Sequence, residues 1–481
     1  MALTTVRSLR RDHTALAVVR DLIVPTVAPA CRAFLLSYAA AVVPHVLNVV
    51  VGAVQNRRQN LHTLYCKLRH ILLSALSTSE ISFFWGALLG SSVTLSRLAR
   101  LLLCRLTASA KYDASATFLS AMLASGFVFR LRSSTLRKLA ASSTQSADPE
   151  HVHEPSRTMD STLFVVTAAL DYGFRRFLRL RLAISPARAT ALEGRADVLA
   201  FVASVSVVMY AWFYHPLRLP KSYNHWITKF ADFDTQLLEL LRLAQQGKFI
   251  YGKDTGCSHI LADSCIRMGL PAEYGDPAIS IPLPCVVVHQ NSTKNCELHA
   301  LWRFSKAFKS AFSIYLPLNL LLFLRRKFRQ RPVSARDIIG VLRSSAASAS
   351  FLGAFVALSW YPVCLTRTRL GPSLFPSVNR TRWDNTLGPA FGCFLCGWSI
   401  LLESTRRRGE LALFVMPRAV GVFLPRVQTR TLELAERAMF AVAFAAMFSA
   451  ITSPRRFATT IPLRGMFGNA LETVMGSSLY A

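Results

Sequence analysis

Cysteine and histidine residues gather in one polar stretch of the chain, between residues 215 and 305. Zinc binds four such side chains in a tetrahedron, so they are candidate metal ligands. No CxxC pair is present, and the spacing matches no known zinc finger. Three interpretations remain open: a zinc site, one or two disulfides in an oxidising compartment, or free structural thiols with surface histidines. We favour free thiols, and zinc is the one cofactor that the pattern admits. The candidate ligands are Cys257, His259, Cys265, Cys285, Cys296 and His299.

A second charged group follows an apolar segment in the second half of the chain. Glu403 precedes Arg406 and Arg407 by three and four residues, the favoured order for helical ion pairs. A carboxylate inside a membrane indicates a functional site by default, but one near a segment end reaches the headgroups. We favour an interfacial ion pair, and we keep a transport or lipid-headgroup role as the alternative. Arg408 and Glu410 complete this group, whose arginines could also bind anionic lipid.

Motifs of the common enzyme classes are missing from the sequence. The chain has no Walker A loop, GxSxG elbow, HExxH or GxGxxG. No nucleophile stands next to an activating base in the sequence, although such groups can also meet only in the folded chain. We therefore expect a protein that is not an enzyme.

The elements that must position these residues are apolar. The chain has 481 residues, 52% of them hydrophobic and only 17% charged, yet its net charge is +30. Soluble domains carry about 25% charged residues, and basic nucleic-acid-binding proteins lack long apolar runs. A soluble nucleic-acid-binding protein is thereby disfavoured, and a polytopic membrane protein is predicted.

Uncharged or nearly uncharged segments recur along the chain, and several approach the length of about 20 residues that spans a bilayer. They indicate an all-α membrane helix bundle. The ten candidate segments are residues 33–56, 81–96, 114–129, 161–170, 198–214, 310–324, 344–366, 385–402, 411–417 and 438–454.

The two halves of the chain resemble each other in order and detail. Arg32-Ala33-Phe34 matches Lys306-Ala307-Phe308, and a basic loop follows each. Phe84 and Gly86 match Phe351 and Gly353, and the segments from Leu192 and Leu432 also run alike. We interpret this as an internal duplication of four to five short helices per half. We favour four crossings per half, because the first segment of the first half contains a proline, a histidine and an asparagine.

This pattern divides the chain into five parts. They are a basic N-terminal segment (residues 1–31), a first membrane repeat (32–214), a polar cysteine- and histidine-containing insert (215–305), a second membrane repeat (306–454) and a C-terminal tail (455–481). Small residues at four-residue spacing in both repeats predict close helix packing. The glycines predicted at such contacts are Gly86, Gly90, Gly353, Gly388, Gly392 and Gly397.

Two stretches carry a resemblance to a known family. Residues 252–269 with 284–322 form a cysteine- and histidine-containing stretch that runs into a basic aromatic helix and a Tyr315–Pro317 step. Residues 392–419 join a glycine-rich helix, Glu403, the arginine cluster and an apolar segment. Together they resemble the transmembrane protein 135 family in its fungal form, with its cysteine-rich N-terminal domain. That family is distantly similar to the translocase-channel family of the mitochondrial inner membrane.

The resemblance implies a location and a role that the residues alone do not. It implies a multi-pass protein of mitochondrial or peroxisomal membranes, acting in organelle dynamics and lipid homeostasis. Its expected partner is the lipid bilayer, anionic lipids included, and no nucleic acid. The alternative that the duplication supports is a transporter or lipid-translocating protein with its pathway between the two repeats.

Overall fold

The fold is all-α, as the apolar segments predict. The structure is a computed structural model that describes residues 24–55, 61–76, 81–107, 113–143, 158–180, 185–231, 235–256, 258–327, 334–425, 429–452 and 463–475. Within these ranges every regular element is helical and none is a strand. Most of the basic N-terminal segment and the last six residues lie outside them.

The described residues form the following helices. In chain order they are α1 (Val24–Gln55), α2 (Leu61–Ser74), α3 (Ile81–Thr107), α4 (Asp113–Ser143), α5 (Met159–Leu180), α6 (Pro186–Tyr214), α7 (Lys221–Ala231), α8 (Thr235–Gln245), α9 (Ser258–Arg267), α10 (Cys285–Val288), α11 (Cys296–Lys327), α12 (Ala335–Leu365), α13 (Gly388–Cys396), α14 (Thr405–Phe423), α15 (Arg430–Thr452) and α16 (Gly465–Met475). Shorter helical turns are Pro216–Arg218, Ala272–Gly275, Thr366–Leu370, Gly371–Leu374, Arg380–Arg382, Trp383–Leu387 and Gly397–Leu402.

Among the described residues, six helices are long and apolar enough to cross a membrane, so the chain is a polytopic membrane protein. The first segment of the second repeat is one of them. The corresponding segment of the first repeat includes a shorter apolar helix, Val27–Val43. The six candidate spans are Ala114–Lys138, Pro186–Tyr214, Cys296–Leu324, Ala335–Leu374, Arg380–Leu402 and Arg430–Thr452.

The chain forms two compact units, and their limits differ from those of the predicted repeats. The first unit contains residues 1–183 and 425–481, and the second contains residues 184–424. Helix α6, the last of the first repeat, therefore belongs to the second unit. Helix α15, the last of the second repeat, belongs to the first unit. Each unit thus contains the final helix of the other predicted repeat.

In the first unit, α15 packs against α4 and α5. Its residue Phe440 is fully buried, and its ring centre lies 5.8 Å from that of Phe84 on α3 and 4.9 Å from that of Phe129 on α4. Phe444 and Phe448 follow at four-residue spacing and continue the same buried face. The exchanged helix therefore supplies the aromatic centre of this unit's core.

In the second unit, α6 takes the equivalent place against α13 and α14. Phe201 of α6 contacts Phe351 of α12, with ring centres 5.9 Å apart. Phe351 is the sequence counterpart of Phe84, and each contacts a phenylalanine of the exchanged helix in its own unit.

The helix pairs that open the two repeats also pack alike. A Cβ atom added to Gly86 would lie 3.4 Å from the carbonyl oxygen of Ala30, and one added to Gly353 would lie 3.1 Å from that of Phe304. In both units a glycine thus allows two helix backbones to approach closely. This agreement in packing supports the predicted duplication.

The other glycines of the predicted set have similar surroundings. Gly90 faces Ala30, Gly392 faces the backbone of Ser359, and Gly397 faces the backbone of Val202 on α6. Gly388 lies instead against the carbonyl of Trp383, in the helical turn that precedes it.

The segment predicted as a C-terminal tail contains helix α16. Its residues Leu471, Val474 and Met475 are buried in the core of the first unit. The backbone carbonyl of Val474 accepts a hydrogen bond from Arg32 of α1 at 3.5 Å.

Substitution of Gly397 tests the packing of α6 in the second unit. We expect Gly397→Ala to lower the free energy of unfolding by about 1–3 kcal/mol, the usual cost of overpacking. The reason is that the new Cβ would lie 2.9 Å from the Cα of Val202. Thermal unfolding of the full chain in detergent measures the change. Gly340→Ala is the matched control, because nothing lies within 4 Å of a Cβ there. Equal stability of the two variants would contradict this packing.

Candidate metal centre

Three cysteines and one histidine of the second unit meet in space. Their ligand atoms all lie within 4.8 Å of one another. The residues are Cys285, His289, Cys296 and Cys364, which we call the Cys₃His cluster. Cysteine sulfur and imidazole nitrogen are the ligands that zinc prefers. The cluster is thus able to bind one metal ion.

A tight turn of the insert brings the first three ligands together. Helix α10 begins at Cys285 and its C-cap is His289, so both side chains project from one side of a single helical turn. The chain then reverses through Gln290 and Asn291, both with φ of +54°. Cys296 follows as the first residue of α11.

The fourth ligand comes from a spanning helix. Helix α12 begins with a capping box, in which Ser334 accepts from the backbone of Arg336 and Asp337 accepts from the backbone of Ser334. Cys364 follows Ser334 by thirty residues, near the other end of the same helix, and is 1% exposed. The cluster therefore joins the insert to two helices of the same unit.

Hydrogen bonding orients His289 towards the other ligands. Its Nδ1 lies 2.8 Å from the carbonyl oxygen of Thr293, and its Nε2 lies 3.3 Å from the Sγ of Cys364. A carbonyl can only accept, so Nδ1 donates and the lone pair of Nε2 faces the cluster. Metal-binding histidines are held by the same kind of contact to a backbone carbonyl.

A second layer of side chains supports that histidine. The ring of His299 stacks on the ring of His289, with centres 4.1 Å apart. His299 in turn contacts Ser292 through Nδ1 at 2.9 Å and receives a hydrogen bond from Arg303 at 3.3 Å. The guanidinium of Arg303 also lies over the ring of Trp360, 4.3 Å from its centre. His299 thus belongs to the surroundings of the cluster rather than to its ligands.

A buried ion pair also lies close to Cys285. Arg367 donates to Asp384 at 3.1 Å and to the carbonyl of Leu283 at 3.0 Å. Tyr251 donates to the same aspartate and accepts from the backbone of Leu283 at 3.2 Å. Burial and the neighbouring Asp384 raise the pKa of Tyr251, so this hydroxyl keeps its proton.

The surroundings also favour the thiolate of Cys285, the form that binds metals. A hydrogen bond from Cys364 and the charge of Arg367 lower the pKa of Cys285 to about 6, against the opposing effect of burial.

Only some of the ligands predicted from the sequence belong to the cluster. Cys285 and Cys296 belong to the cluster. His259 is exposed and contacts the carbonyl of Gly256, while Cys265 is buried on α9. Cys257 lies outside the described residues. The eight cysteines whose side chains are described are all free thiols, without a disulfide among them.

Two ligands were missing from the predicted set. The compact spacing of Cys285, His289 and Cys296 was the available signal for His289. Cys364 carries no local signal, because it lies 68 positions beyond Cys296 in an apolar segment and only tertiary packing brings it close.

The Glu403 group forms several separate contacts. Glu403 is 5% exposed and forms an ion pair with Arg407 at 3.7 Å. Arg407 also donates a hydrogen bond to Asn319 at 3.3 Å. Arg406 pairs with Glu410 at 3.5 Å near the surface. Arg408 donates to the carbonyl of Glu403 at 2.8 Å. Glu403 itself adopts an extended conformation between two helices, so the ion pair forms across a helix break.

Comparison with known proteins adds no relative: no family model, no curated protein and no solved structure matches the chain. The resemblance to the transmembrane protein 135 family therefore stays a prediction from the sequence.

Substitution of Asp384 tests the ion pair with Arg367 that lies beside the site. We expect Asp384→Asn to lower the free energy of unfolding by about 3 kcal/mol or more, because it leaves the charge of buried Arg367 without its counter-ion. Glu410→Gln removes a more exposed pair and should cost at most about 1 kcal/mol. Thermal unfolding of both variants measures the difference. Equal losses would show that the Arg367–Asp384 pair contributes no more than a surface contact.

Proposed function

We propose that the protein is a non-enzymatic, multi-pass protein of mitochondrial or peroxisomal membranes that acts in organelle membrane dynamics and lipid homeostasis. The observation that carries this proposal is the pairing of charged groups within the spanning segments. Arg367 pairs with Asp384 inside the second unit. In the first unit, buried Glu436 accepts a hydrogen bond from Thr162 at 3.2 Å.

Charged residues inside a membrane often mark a substrate path when they face a water-filled cavity. Here they are bonded to other groups of their own unit, which favours a structural role for them. The same holds for Glu403 with Arg407. This pairing supports a protein that shapes or organises a membrane over one that performs chemistry in it.

The organelle and the role come from the sequence resemblance. Residues 252–269, 284–322 and 392–419 carry it, and the last stretch contains both Glu403 and the arginine cluster. The resemblance supports mitochondria or peroxisomes as the location, and lipid homeostasis as part of the role.

Arginines near the helix ends support anionic lipid as a partner. The side chain of Arg406 is 85% exposed and that of Arg137 is 61% exposed. Each such cation near a membrane surface contributes about 1 kcal/mol of attraction to anionic headgroups.

A small apolar cavity in the second unit supports the lipid part of the proposal. It measures about 60 Å³, and its walls include Trp212, Phe249 and Trp360. Arg367 and Asp384 form part of its polar wall. Such a lining suits a hydrocarbon group with a polar end.

The alternative is a transporter or lipid-translocating protein with its pathway between the repeats. It rests on the duplication, and Glu403 would be its candidate polar site. The bond from Arg407 to Glu403 favours the structural role instead.

Reconstitution separates the two functions. We expect the full chain in liposomes of neutral and anionic phospholipids to move neither labelled lipid nor a trapped solute. Removal of the protein from cells should change the shape of mitochondria or peroxisomes, and a fluorescent fusion should mark the same organelle. The physical reason is that Arg367, Glu403 and Glu436 already have partners within their own units. Flux above that of empty liposomes, lost in Glu403→Gln but kept in Glu410→Gln, would overturn the proposal in favour of transport.

A further inference from the structure

We propose that the Cys₃His cluster binds one structural Zn²⁺ ion, which ties the polar insert to the two spanning helices α11 and α12. The site uses Cys285, His289, Cys296 and Cys364 as its four ligands. It is independent of the organelle in which the protein resides.

The separations fit a single ion. Zinc bonds of about 2.3 Å to sulfur and about 2.0–2.1 Å to nitrogen place tetrahedral ligand atoms about 3.5–3.8 Å apart. The four atoms lie within 4.8 Å of one another, and Nε2 of His289 is 3.3 Å from Sγ of Cys364. A shift of at most about 1.3 Å in any pair would complete the tetrahedron.

The same separations disfavour an iron–sulfur cluster, although cysteine with histidine can also bind one. Two irons bridged by sulfide hold their outer ligands in two groups on opposite sides. The Cys₃His cluster converges on one point instead. Calcium and magnesium are disfavoured because they require oxygen ligands.

The ligand number indicates a structural ion. Catalytic zinc sites keep a fourth position open for water or substrate, whereas structural sites fill all four positions with protein atoms. Here the protein supplies four, three of them from buried side chains, His289, Cys296 and Cys364. The ion would therefore hold elements together and leave no position for a substrate.

The surroundings match the chemistry of such an ion. The carbonyl oxygen of Thr293 lies 2.8 Å from Nδ1 of His289. This contact holds the histidine in the tautomer whose Nε2 is free to bind the ion. A zinc ion with three thiolates and a neutral imidazole carries one net negative charge. The guanidinium of Arg303 reaches the site through His299, whose ring stacks on His289. A neighbouring cation stabilises a buried anionic centre.

The position of the ligands defines what the ion would do. Cys285 and His289 lie in the insert, Cys296 begins α11, and Cys364 lies near the end of α12. Helices α11 and α12 pack against each other as a pair. One ion at their shared end would fix the insert on this pair, and its removal would release the insert while leaving the pair in contact. Binding energy of a structural zinc becomes stability of the elements it joins.

Metal analysis of the full chain tests the site directly. We expect about one zinc per chain after purification in detergent and dialysis against a weak chelator. Cys364→Ser and His289→Ala should lose the zinc, whereas the matched control Cys265→Ala, a buried cysteine of the same insert outside the cluster, should keep it. Zinc that the weak chelator removes from the wild type would be an adventitious ion only and would overturn the proposal, as would iron with the visible absorption of an iron–sulfur cluster.

A second measurement uses the wild-type chain and does not depend on the folding of any variant. We expect alkylation, read by mass spectrometry, to spare Cys285, Cys296 and Cys364 until a strong chelator removes the zinc. Trypsin should then also cut faster at the exposed residues Lys248 and Lys253 of the insert. The exposed Cys31 should react equally with and without the chelator. Equal alkylation of the three cluster cysteines in both conditions would overturn the proposal.

Discussion

The buried ion pair between Arg367 and Asp384 fixes where the polar insert meets the helices of the second unit. Arg367 lies three residues beyond Cys364, and it also binds the carbonyl of Leu283, two residues before Cys285. One guanidinium thus sets two cysteines side by side that are distant in sequence. The energetic reason is the cost of an unpaired buried charge, which the chain avoids only when the insert is in place.

A second constraint is the exchange of final helices between the repeats. In each unit, the last helix of the other predicted repeat packs into the core. In the first unit Phe440 packs against Phe84, and in the second unit Phe201 packs in the same way against Phe351. Because both cores require a helix from the other repeat, neither repeat forms its unit alone.

The two units differ in what they add to this shared plan. The second unit contains the insert, the Cys₃His cluster and the small apolar cavity, while the first contains helix α16 and the buried carboxyl of Glu436. A metal site at the end of one helix pair would make the insert a rigid part of that unit. A rigid insert at the end of membrane-spanning helices would suit the membrane-organising role that we propose.

The sequence by itself determined the helical membrane architecture and the position of the polar insert, because hydropathy and charge are local properties of the chain. It also indicated the resemblance between Phe84–Gly86 and Phe351–Gly353. Only the tertiary structure decided which side chains form the metal centre. Cys364 lies in an apolar segment and His259 lies in the insert, yet Cys364 joins the cluster and His259 faces solvent. Likewise, only packing decided that α6 and α15 are exchanged. Ligand geometry and helix partners depend on distances between residues far apart in sequence, and no local pattern encodes those distances.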